Sequence, residues 1–251
     1  MRKNVLEMMG FISGYIVGLL AAILSAFRAA RVFHPEGLLF EATVENLEPN
    51  KLKFHENALI RLSGTFWKTT NLPDGVGVSI RFSKEAVKKI ELEDFDQDLL
   101  FVSFDRPMKI LMAPLITNYK NYLMNEYFTI LPFTTVNWEH AYFKLISSNH
   151  ESEGENRNER IFQSMMKKKA WFVLMGSATR EDWEPLAKLT LINSSFLDQE
   201  ALRFNPFRNG LGIYPRGFLN HLRKGTYQLS QWARPRAKIN RSLQFIRRKE
   251  V

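Results

Sequence analysis

Short runs in which apolar and polar residues alternate recur along most of the chain, each bounded by turn-forming residues, and alternation of this kind predicts half-buried strands. The run Phe40, Glu41, Ala42, Thr43, Val44 follows Pro35, which cannot donate a backbone hydrogen bond, and Gly37, which permits positive φ. A sharp turn and then a strand are expected there. Ala58–Ser63 predicts a second strand, and Asn71–Gly77, with Pro73, Asp74 and Gly75, predicts the turn that follows. In a third strand, Val76–Ser83, the residues Val76, Val78, Ile80 and Phe82 face one way, so Ser79, Arg81 and Ser83 face the other. Leu99–Phe104 is nearly continuously apolar, and Tyr142–Ile146, Trp171–Met175 and Lys188–Ile192 read as later strands. Ile161, Phe162, Met165 and Met166 have the spacing of an amphipathic helix over Arg160–Lys168. Pro107–Phe133 is a long apolar stretch interrupted by Asn118, Lys120, Asn121 and Asn125, amides of the kind that satisfy backbone groups, and His150–Asn158 is a polar loop. Many strands with few helices predict an α+β fold: a closed or strongly curved antiparallel β-barrel with helices on its outside.

One stretch departs from this pattern. Met8–Phe27 is a run of 20 uncharged residues between Arg2, Lys3 and Glu7 on one side and Arg28 and Arg31 on the other. That length matches the hydrocarbon thickness of a bilayer, so an N-terminal transmembrane helix over residues 1–27 is expected. A secretory signal peptide is the rival, but its apolar region is usually shorter, and the small-residue pattern around Ala26 is poor for cleavage. Gly10, Gly14, Gly18, Ala22 and Ala26 recur every fourth residue and give a face that another helix can approach closely, which suits a homo-oligomer or a membrane partner subunit.

Charge refines the division. Residues 201–251 hold 12 Lys and Arg against one Glu, a net of +11, whereas residues 1–200 hold 23 basic against 25 acidic residues, a net of −2. A basic tail after a membrane anchor suits contact with anionic headgroups and favours a domain on the cytoplasmic side, although Lys and Arg flank both ends of the apolar run. Nucleic-acid binding is a weaker reading, because the tail has no recognisable motif and only Trp232 and Phe245 as aromatics near its end. The absence of cysteine excludes disulfides, thiolate metal sites and a cysteine nucleophile. His34, just ahead of the first strand and one turn from Arg31, has an unperturbed pKa suited to carrying a proton, although a surface histidine in a polar turn is the alternative.

Three words in order, Arg31-x-x-His34-x-x-Gly37, Arg81-Phe82-Ser83 and Asn118 ahead of an aromatic run, resemble the distal haem-pocket motifs of the haem catalase superfamily. The resemblance extends over roughly residues 28–236, with Phe204-Asn205-Pro206-Phe207, Tyr214-Pro215-Arg216-Gly217 and Tyr227-Gln228-Leu229-Ser230-Gln231 in corresponding places, and leaves 237–251 as a basic tail. It implies a catalase-like barrel in which His34 moves the proton of a bound peroxide, Ser83 holds the imidazole tautomer, Asn118 orients peroxide, and Arg31 and Arg81 neutralise haem propionates. The family's proximal tyrosine word, R-x-x-x-Y, has no counterpart after Tyr227, so the ligand of any iron is unassigned. Two functions follow from the resemblance: a membrane-anchored haem protein acting on hydrogen peroxide or organic and lipid hydroperoxides, or a haem-free accessory or scaffolding subunit of a membrane complex.

Overall fold

In the computed structural model of the protein, the described residues are 37–65, 67, 70, 72–85, 95–198 and 202–217. The chain divides into two units, residues 34–215 and residues 1–33 with 216–251. The barrel belongs to the first. The expected membrane helix Met8–Phe27 and the tail 237–251 lie outside the described residues, among which no helix is long and apolar enough to cross a membrane.

Alternation closes into a barrel as expected. Eight antiparallel strands follow one another around it: β1 (Gly37–Asn46), β2 (Asn57–Gly64), β3 (Val76–Ser83), β4 (Gln97–Val102), β5 (Glu126–Phe128), β7 (Tyr142–Ser147), β8 (Trp171–Ser177) and β9 (Glu184–Ser194). Pairing of β1 with β9 closes the ring, and a register shift at Glu41/Ala42 bends β1 where it must serve two neighbours. β6 (Phe133–Thr134) and β10 (Tyr214–Pro215) form a separate two-stranded sheet.

The inward faces are packed shut. Val76, Val78, Ile80 and Phe82 of β3 meet Phe40, Ala42 and Val44 of β1, Leu99 and Phe101 of β4, and Leu145, Phe172 and Leu189 in one buried cluster. Ring pairs such as Phe54–Phe82, with centroids 4.7 Å apart, and Phe133–Phe143, at 5.7 Å, fill the interior. The two halves of the wall differ outside. β7 and β8 alternate buried with half-buried residues, whereas β2 and β3 are buried on nearly every residue. Leu202 and Phe204 cover the outer Leu39 and Leu59, which accounts for part of that difference.

Helix α2 (Arg157–Met166) begins three residues before the periodicity suggests, because Asn156 accepts the amides of Asn158 and Glu159 while Glu159 Oε2 accepts from Glu155 N at 2.9 Å. The stretch Pro107–Phe133 breaks into a 3₁₀ turn (Pro107–Met112), the short helix α1 (Ala113–Ile116), a second 3₁₀ turn (Tyr122–Met124) and β5. Its amides satisfy backbone as expected: Asn121 Oδ1 accepts from Leu123 N at 2.9 Å, and Asn125 Nδ2 donates to Asn121 O at 2.8 Å.

Candidate functional site

The Gly37 end of the barrel gathers buried polar groups of both signs. Gly37 pairs with Ser63, Ser63 with Gly77, and Gly77 with Val102, so the start of β1, the ends of β2 and β4 and the start of β3 lie at the same end. Ser103 Oγ accepts from Val76 N at 3.1 Å and lies 2.7 Å from Thr117 Oγ1, which ties the segment from Thr117 onward to that end. Helix α2 brings Arg157 there, where its Nη1 donates to Tyr119 O at 3.4 Å and its guanidinium lies over the Tyr122 ring, 5.5 Å from the centroid.

Two arginines are buried at this end, Arg61 and Arg157, each 3% exposed, together with the carboxylate of Asp74. Glycines make the room. A Cβ at Gly37 would lie 2.8 Å from Arg61 Cζ, and a Cβ at Gly64 would lie 2.5 Å from Arg157 Nη2 and 2.6 Å from Asp74 Oδ2. Arg157 Nε and Thr65 Oγ1 are buried and make no hydrogen bond among the described residues. Burial pushes the Tyr122 hydroxyl above its ordinary range, against the opposing charges of Arg157 and Arg61. Tyr122 therefore stays protonated at neutral pH. Arg157, the Asp74 carboxylate and the neutral phenol of Tyr122 thus meet at the mouth of the barrel, and the carboxylate there offsets the arginine's charge.

The residues singled out from sequence are divided by this geometry. His34 and Arg31 lie outside the described residues. Asn118 belongs to the segment at the Gly37 end; it is exposed, its Oδ1 accepts from Lys120 N at 3.2 Å, and its backbone amide donates to Asn125 Oδ1. Arg81 and Ser83 sit at the other end of β3. Ser83 pairs with Asn57, which is six residues along β2 from Ser63, about 20 Å at the rise of an extended strand. Its Oγ donates to Glu85 O at 2.7 Å. Arg81 faces away from the barrel interior, as the alternation requires, and is bound there by Asp98: Nε donates to Oδ1 at 2.9 Å and Nη2 to Oδ2 at 3.2 Å. Arg81 Nη2 also donates to Arg203 O, while Asp98 Oδ2 accepts from Asn205 N at 2.7 Å and Arg208 Nη1 at 2.6 Å. This cluster clamps residues 203–208 to the wall. The expected meeting of Arg81, Ser83 and Asn118 in one cavity does not occur, because the strand carries the first two to one end and the chain carries Asn118 to the other.

Sequence reasoning passed over Arg61 and Ser63, although Arg61-Leu62-Ser63 repeats the Arg-x-Ser spelling of Arg81-Phe82-Ser83 on the strand next to Gly37. It also passed over Tyr122 and Arg157, for which no local signal exists. Haem needs cations for its propionates and an axial ligand for its iron. Arg157 supplies a cation, but it is 3% exposed and lies beside the Asp74 carboxylate. For the second, Tyr127 is already committed, donating its hydroxyl to Tyr122 O at 2.6 Å within the packed core. Among family models and among curated proteins, none matches the chain.

Proposed function

We propose that the Gly37 end of the barrel is the working end of a membrane-anchored, catalase-like protein acting on hydrogen peroxide or organic hydroperoxides. The observation that carries this reading is the pairing of Gly37, the last residue of the His34-x-x-Gly37 word, with Ser63 on the adjacent strand. In this reading Ser63, rather than Ser83, orients the His34 imidazole, and His34 takes a proton from one peroxide oxygen and returns it to the other. Haem, when bound, supplies the redox chemistry.

A second reading, a haem-free accessory or scaffolding subunit, is favoured by Tyr127, whose hydroxyl is engaged by Tyr122 O inside the packed barrel rather than open to a ligand. Reconstitution of the full chain with haemin separates the two. A Soret band with peroxide turnover that His34→Ala abolishes supports the enzyme. A chain that takes up no haemin, or takes it up without turnover, supports the subunit.

A further inference from the structure

The segment between β4 and the second 3₁₀ turn presents its apolar residues to solvent. Met108, Leu111 and Leu115 are 89%, 87% and 83% exposed, and Met112 and Ile116 beside them are also exposed. The five are spaced at intervals of three, one, three and one, so the turns of Pro107–Met112 and α1 gather them on one side. The opposite side is the attached one. Ala113 is fully buried, within contact distance of the Gly75 position, and Thr117 is joined to Ser103. The segment is thus fastened to the barrel by its small residues and holds its large aliphatic ones outward.

An apolar strip of this kind needs an occupant. Side chains more than four-fifths exposed stand clear of their neighbours as separate projections and form no flat or concave face, so a protein partner would have to supply a matching pocket for each. A fluid hydrocarbon accommodates projections without such a match. The strip's edge carries Arg106 and Lys109 against Asp105, a net positive border suited to anionic headgroups. All five apolar residues are Met, Leu or Ile, and none is aromatic. We propose that residues 107–116 enter the headgroup–acyl boundary of a phospholipid bilayer and form a membrane-contact surface on the barrel unit itself, distinct from the N-terminal anchor and the basic tail. This deepens the membrane-anchored part of the reading above and is independent of haem.

The chain has no cysteine, so one introduced thiol labels one position. The full chain carrying Leu111→Cys or Leu115→Cys with an environment-sensitive fluorophore is mixed with phosphatidylcholine–phosphatidylglycerol vesicles, with and without brominated acyl chains, and floated on a density gradient. Glu45→Cys, at an exposed polar position at the opposite end of β1 from Gly37, is the control. The expected result is flotation with a blue-shifted emission that brominated lipid quenches at 111 and 115 but not at 45. Flotation without quenching at 111 and 115 leaves the anchor standing and overturns this surface. A chain that stays with the aqueous fraction overturns both. A blue shift that is present without lipid and rises with protein concentration shows a second copy on the strip, and one independent of both shows another part of the same chain; either overturns the proposal.

Discussion

Gly37 on β1 lies directly opposite Ser63 on β2, whereas Ser83 lies opposite Asn57 at the far end of the same strand. The two serines are therefore separable by mutation. In a haem-reconstituted chain, Ser63→Ala is expected to lower peroxide turnover on the order of tenfold, the scale of losing a group that orients a proton carrier. Ser83→Ala removes only a bond to Glu85 O and is expected to leave turnover intact while costing about 1 kcal/mol of stability. Initial rates for the two variants side by side decide between them, and an effect at 83 alone would reverse the assignment.

The Arg81–Asp98–Arg208 cluster predicts a large stability loss when its centre is removed. Both side chains of the Arg81–Asp98 pair are fully buried, so Asp98→Ala leaves Arg81 uncompensated and is expected to cost about 3–5 kcal/mol in denaturant unfolding. Arg208→Ala removes a partner that is 14% exposed, and its cost is expected to be smaller. Because Asp98 also accepts from Asn205 N, limited proteolysis near residues 203–208 is expected to speed up in Asp98→Ala first. A loss below about 1 kcal/mol in that variant would show that the clamp does not hold the segment.

Alkaline pH is expected to weaken the fold through Tyr122 and Tyr127. Burial raises both hydroxyls above the value they have in the unfolded chain, near 10. Above that pH the unfolded state loses these protons and the native state keeps them, so stability falls as pH rises, by at most about 1.4 kcal/mol per pH unit for each tyrosine. Below it the two contribute no slope. Unfolding curves from pH 8 to pH 11 measure this, and Tyr127→Phe is expected to flatten the decline.

Gly37→Ala tests how closely β1 lies on Arg61. The new methyl would sit 2.6 Å from Leu62 O, a backbone atom that cannot swing aside, as well as 2.8 Å from Arg61 Cζ. A loss of about 1–3 kcal/mol is expected from this overpacking, read from the thermal or denaturant midpoint. A neutral result would mean that the two strands separate more easily than their pairing suggests.

The barrel was legible where alternation was unbroken. β3 matches its expected bounds, since four inward apolar residues and their polar partners leave one register. β5 was not legible, because it is three residues long and pairs with β4 only through Val102 and Phe128. The site was less readable for a different reason. Arg81 and Arg61 look alike in sequence, and only the register reveals that the first faces Asp98 while the second lies beside Gly37. Arg157 reaches the site from a helix whose pattern reports its apolar face alone.

The seam between β1 and β9 has a consequence for how the chain is made. Residues 41–46 pair with residues 187–193, so the ring stays open until nearly the whole barrel sequence has left the ribosome. Until then β1 and β8 each present a free edge able to pair with another chain. Closure across so long a stretch of chain is intrinsically slow. The nascent protein therefore spends its most vulnerable interval as an open sheet, and a chaperone or an early hold on the growing chain would act on that interval rather than on the finished barrel.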